Sequence, residues 1–182
     1  MNCTAFEGSR LIASGTRTEV ALKVKEVLDR GEQAPVVIFD DESSRVVELD
    51  LRGTPEDVLS RLEQPVEDPP RRPGRPRLGV VAREVTLLPR HWEWLSSQPG
   101  GASVAIRKLV EQASRANQSQ DRIRVLRESA YRFMSAIAGN EPGFEEATRA
   151  LFAGNRERFE QEIAVWPPDV RDHARRLTSE SW

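Results

Sequence analysis

The spacing of apolar and polar positions divides the chain into a front, a middle and a tail. At the front, Cys3 to Phe6 is β-prone, Glu7-Gly8-Ser9 is a turn and Arg10 to Ser14 alternates back, which predicts a hairpin. After Gly15, Val20, Val24, Val27 and Leu28 fall at helical spacing, with Thr16 or Thr18 as cap and Gly31 as stop. Pro35-Val36-Val37-Ile38-Phe39 reads as a buried strand. Asp40 to Ser44 is a polar turn, and Arg45 to Leu51 alternates as its return strand, with Val47, Leu49 and Leu51 on one face. Thr54-Pro55-Glu56-Asp57 opens a second helix carrying Val58 and Leu62: a capping threonine, a proline at the first helical position and acids near the positive end of the dipole. The order predicts a small antiparallel α+β domain over residues 1–66.

The middle changes character. Pro65, Pro69, Pro70, Pro73 and Pro76 forbid regular structure, so residues 67–78 read as an extended Pro/Arg-rich linker. Over residues 79–116 the pattern predicts a strand-helix-helix unit. Leu78 to Val81 and Val85 to Leu88 are β-prone, and Pro89 opens a short helix with Trp92 and Leu95 three apart. Pro99-Gly100-Gly101 stops it, and Ser103 caps a second helix whose stripe is Ile106, Leu109, Val110 and Ala113. Asn117 to Asp121 is a polar break. The tail, residues 119–182, is helical. Ile123, Leu126, Ala130, Phe133, Met134 and Ile137 form a long stripe ended by Gly139-Asn140. Shorter helices follow through Phe144–Phe152, Phe159–Ile163 and Val170–Leu177, with the Phe144–Phe152 and Phe159–Trp166 stripes expected in the core.

Charge sharpens this picture. Residues 1–70 hold eight Lys/Arg against fifteen Asp/Glu, residues 71–115 nine against three, and residues 116–182 ten against eleven. A total of −2 therefore conceals a basic middle, which favours a polyanionic partner. Chemistry for an enzyme is thin. Cys3 is the one cysteine, expected to pack in the first strand, and His91 and His173 have no partner at ligand spacing. Asp40, Asp41 and Glu42 read as a solvated hairpin tip rather than a metal site, and no phosphate loop appears. The expectation is a protein that is not an enzyme and needs no cofactor or metal. With neither a signal peptide nor an apolar run long enough for a membrane span, it is expected to be soluble and cytoplasmic.

Within the linker, Gly74-Arg75-Pro76 resembles the AT-hook, whose thin backbone carries arginine into a narrow minor groove; Pro73 stands where the hook usually has arginine. A plain basic linker is the equal alternative. Val85-Thr86-Leu87-Leu88-Pro89, Trp92 to Leu95, and Ser103 to Val110 resemble the ribbon-helix-helix DNA-binding fold. That resemblance implies two chains pairing their strands into a ribbon for the major groove, with a phosphate at the N-terminus of the second helix. Thr86 stands on the outward face, but so does Glu84, so little base readout is expected. Nearly the full chain also resembles an uncharacterised bacterial family, a domain of unknown function. Cys3-Thr4-Ala5-Phe6, Ala34 to Asp41, Leu49 to Gly53, Gly74 to Gly101 and Gly143 to Gly154 carry the likeness.

The leading expectation is a homodimeric, DNA-associated protein, with transcriptional regulation as its expected role. Arg71, Arg72, Arg75 and Arg77 would lie on phosphates or in a minor groove, with Arg83, Thr86, Arg90, Ser103, Arg107 and Lys108 at the ribbon and helix ends. The alternative is an interaction or assembly module that dimerises through the same unit without nucleic acid.

Overall fold

A computed structural model describes residues 1–31, 34–63, 81 and 83–182. In chain order the elements are β1 (Asn2–Glu7), β2 (Arg10–Thr16), α1 (Arg17–Asp29), β3 (Val36–Asp40), α2 (Pro55–Glu63), α3 (Pro89–Ser97), α4 (Gly101–Ile137), α5 (Phe144–Ala153), α6 (Arg156–Ile163) and α7 (Pro168–Thr178). The class is α+β. There are two compact units, one from both ends of the chain (Met1–Gln64 and Gln120–Trp182) and one from its middle (Pro65–Ser119).

In the first unit the sheet order is β2-β1-β3, antiparallel throughout. The central strand β1 is buried on both sides, because it is sandwiched. Cys3 and Ala5 point to a cluster with Val20 and Val24 of α1, while Phe6 points to one built with Ala130, Phe133, Met134, Leu151 and Ile163 of the later helices. The N-terminal sheet and the C-terminal helices thus share one core. The expected caps are present. Thr16 and Glu19 form a reciprocal capping box on α1, and Thr54 with Asp57 does the same for α2. Of the expected core stripes, Phe159, Ile163 and Trp166 are buried, whereas Phe152 is exposed.

Two expectations need correction. Arg45–Leu51 is not a fourth strand: it makes a single bridge, Phe39 to Val46, with Val47 N–H donating to the Ile38 carbonyl at 2.8 Å. Val47, Leu49 and Leu51 do share one face, packed on the α1 side of the sheet. Beyond them Asp50 accepts from the Arg52 N–H at 3.2 Å and from its guanidinium, so a local turn takes the place of the ladder. Likewise Asn117–Asp121 is no break. The stretch contains neither glycine nor proline, and the Asn117 side chain donates to the Ala113 carbonyl at 2.8 Å, so α4 runs on for 37 residues.

The acidic turn after β3 is a structural joint. Asp40 accepts from the Ser43 N–H (2.9 Å) and hydroxyl (2.6 Å), bonds that hold its pKa below the usual range. Asp41 accepts from Thr4 at 2.6 Å. Ser44, in the left-handed region at φ 49°, meets Ser129 of α4 at 2.8 Å, and Arg132 donates to the Ser43 carbonyl at 2.8 Å. Among the described residues no three His, Cys, Asp or Glu are grouped to hold a metal ion. Cys3 is fully buried, and burial pushes its thiol pKa up, which makes it a packing residue.

Arg127 of α4 ties down the chain's last residues. Its Nε donates to the Ser181 carbonyl (3.0 Å) and its Nη1 to the Phe152 carbonyl (3.2 Å). Gly154 leaves room for it: a Cβ there would stand 2.9 Å from the guanidinium. Arg127→Met keeps the stem and removes both bonds. It is expected to cost about 2 kcal/mol in urea unfolding. A loss near zero would mean that the guanidinium is as well satisfied by water.

Candidate nucleic-acid interface

The central unit consists of α3, the first part of α4 and the extended segment before them. Pro89 sits at the first helical position of α3 with Leu88 as its cap residue, and the His91 N–H closes the first turn on the Leu88 carbonyl at 2.8 Å. Gly100 and Gly101, both at positive φ (86° and 75°), reverse the chain into α4. At Gly100 a Cβ would press on Val104 at 3.2 Å. α4 starts at Gly101, so Ser103 lies inside its first turn and is not its cap.

The expected strand Val85–Leu88 is not a strand and pairs with none among the described residues, and its Val85 and Leu88 are exposed. A strand that the ribbon reading pairs with another chain has no partner within one chain. The ribbon-helix-helix likeness gains no support here. The second helix, short in that pattern, is the start of a much longer one.

Apolar burial in this unit is meagre. Among its described residues Leu95 and Ala105 are buried, at 4% and 8% exposure. Around Leu95 lies an open cavity of about 430 Å³, walled by Val85 and Leu87 of the extended segment, His91 and Trp94 of α3, and Ile106, Leu109 and Val110 of α4. Trp94 (52% exposed) and Val110 (61%) stand at its rim. The facing of Trp94 of α3 onto Ile106, Leu109 and Val110 of α4 across this groove needed the fold.

The expected contact residues of this unit are exposed and little used. Arg83, Thr86, Arg90, Ser103, Arg107 and Lys108 are all exposed. Arg107 donates to the Ser103 carbonyl at 3.0 Å, while no carboxylate among the described residues pairs with Arg83, Arg90, Arg107 or Lys108. Lys108 borders a small cavity with Trp94 and Gln98. Glu84 and Thr86 flank Val85, Arg83 stands two residues before it, and Arg90 precedes the groove residue His91. Arg71, Arg72, Arg75 and Arg77 fall outside the described residues. In the first unit, by contrast, arginines mostly hold carboxylates or carbonyls: Arg52 and Arg61 on Asp50, Arg175 on Glu160, Arg158 on Glu162.

Among the described residues no helix is long and apolar enough to cross a membrane. The family model described as "Uncharacterized protein conserved in bacteria (DUF2239)" matches residues 2–178. No curated protein and no solved structure matches the chain.

Proposed function

Since the chain belongs to this bacterial family, whose description carries no activity, we propose its function from the chemistry of the central unit: it is a DNA-associated protein, holding duplex phosphates with that unit's free cations. The observation that carries this is the contrast in arginine use. Arg83, Arg90, Arg107 and Lys108 stand exposed without a carboxylate among the described residues, beside a linker with four more arginines. Guanidinium groups without a carboxylate keep most of their donors for phosphate oxygens. Glu84 and the apolar residues beside Thr86 leave little to read base edges, so contacts fall on the backbone and a regulator of broad rather than sharp sequence preference is expected.

The test is fluorescence anisotropy of a labelled duplex against the intact protein over a salt series. With four to eight phosphates neutralised, the slope of log K against log salt should lie between about −3.5 and −7. Replacing Arg83, Arg90, Arg107 and Lys108 together by Gln should flatten the slope by about 3.5 units and weaken binding on the order of a hundredfold near 0.1 M salt. Binding that is absent, or indifferent to salt, overturns the proposal.

A second reading is an assembly module that binds no nucleic acid. The bare groove beside Leu95 favours it, since apolar surface of that kind marks a protein contact. Neutralising Arg71, Arg72, Arg75 and Arg77 separates the two. Lost duplex binding supports the first reading; unchanged assembly with a lost protein partner supports the second.

A further inference from the structure

We propose that the smaller cavity of the central unit, about 210 Å³ and bordered by Trp94, Lys108 and Gln112, takes an unpaired nucleobase from a single strand of nucleic acid. The inference rests on the reading of this unit as a phosphate-binding one and adds a base site to it. Its first ground is how the cavity is built. Ala105, Lys108, Leu109 and Gln112 recur three and four residues apart, so one face of α4 carries all of them. Trp94 of α3 walls the cavity from the other helix, and Gln98 lies at the end of α3. Ala105 and Leu109 supply apolar lining. Trp94 is 52% exposed although this unit has little core to spare. A flat ring left half in water at the wall of a cavity is the kind of surface on which bases stack.

The second ground is the set of polar groups. No carboxylate lines the cavity, and none among the described residues pairs with Lys108; Glu111 is held by Arg115. The lining therefore disfavours a cation and favours a ligand that carries negative charge. Gln98 donates through Nε2 to the Trp94 carbonyl at 3.3 Å, which ties the amide down and leaves its Oε1 to accept. The Gln112 side chain has no hydrogen bond among the described residues, so it offers both a donor and an acceptor. A nucleotide matches each part of this lining: a π face for the ring, an edge of donors and acceptors for the two amides, and a phosphate for the lysine. A wholly apolar ligand would leave the amides and Lys108 unused, and inorganic phosphate would leave Trp94 unused. In a duplex the bases are stacked and paired, out of reach of such a cavity, so the base it takes is an unpaired one.

Titration of the full chain with a labelled oligothymidine, beside the duplex, tests this. The single strand should bind, and tryptophan emission should fall as it does. Trp94→Ala should weaken single-strand binding on the order of tenfold or more and leave duplex affinity unchanged. Gln112→Ala should weaken the single strand several-fold. Trp94→Phe keeps a ring, so it should retain binding yet lose most of the emission change, a readout that survives poor folding of the alanine variant. Trp92, exposed on the same helix and lining neither cavity, is the control, and Trp92→Ala should change nothing. Emission that stays constant on binding, equal losses for Trp92→Ala and Trp94→Ala, or a Trp94→Ala loss shared by the duplex overturns the inference. An oligothymidine left unbound while the duplex is held also overturns it, and leaves the duplex reading standing. A duplex left unbound while the single strand is held through Trp94 overturns the duplex reading alone.

Discussion

Phe133→Ala is expected to remove about 4 kcal/mol of stability, a large share of what a domain of this size possesses. Phe133 is wholly buried where four elements meet. Its ring lies 5.2 Å from Phe6 of β1, 5.4 Å from Phe39 of β3 and 4.3 Å from His173 of α7, and it is itself carried by α4. Truncation leaves a void walled by rigid rings and strands that cannot close over it. The transfer loss and the cavity cost therefore add. Phe133→Leu, which keeps most of the volume, should cost roughly a third as much. Urea unfolding followed by both circular dichroism and tryptophan emission measures the loss. The two signals should move together, because sheet and helices share this contact. A loss under about 1.5 kcal/mol, or separated transitions, would mean that the two ends of the chain fold as independent bodies.

Mild acid should destabilise the protein through His173. The side chain is buried, edge-on to Phe6 and against Phe133, and burial lowers its pKa from 6.5 to about 4, with the Arg176 charge adding to the effect. Arg176 Nη2 donates to His173 Nδ1 at 2.8 Å, which fixes the neutral ring with its proton on Nε2; the same Nη2 donates to Thr4 at 3.2 Å. The folded state refuses a proton that the unfolded chain accepts from about pH 6.5 downward. Stability from this source is thus complete above pH 6.5, falls as pH drops toward 4, and changes no further below that. The loss is about 2 kcal/mol between pH 7.5 and pH 5, and about 3 kcal/mol in all. His173→Gln, which retains an acceptor for Arg176, should abolish the slope in that window. The carboxylates with lowered pKa values, Asp40 and Asp172 among them, titrate below it. A wild-type protein as stable at pH 5 as at pH 7.5 refutes this account.

Part of the candidate interface was open to reading before any fold. Arg83, Arg90, Arg107 and Lys108 are surface cations by composition and period, and they are exposed. That no carboxylate among the described residues pairs with them was not legible, since an ion pair depends on which acids the fold brings near. Glu111, four residues from Arg115, is spent on that neighbour. The apolar groove was half visible. Ile106, Leu109 and Val110 form a clear stripe, but a helical period records one apolar face without saying what covers it.

Local chemistry determined many of the element starts and stops, though not those of α4. Thr16 with Glu19, Thr54 with Asp57, Pro89, Asn155 and the glycines at 31, 100, 143 and 154 act through bonds and dihedral preferences within a few residues, and each does so where its own sequence placed it. Tertiary structure decided what those elements meet. Phe6 and Phe133, 127 residues apart by their numbering, share a core because burying both faces of β1 required helices from the far end of the chain. Val47, Leu49 and Leu51 kept their side but lost their ladder, since a local Asp50 turn competed with the sheet edge. His173, unremarkable in sequence, became the buried neutral base of an aromatic cluster because α7 presses it between Phe6 and Phe133. Short-range bonds are written in adjacent residues; burial and charge pairing depend on neighbours the chain acquires only by folding.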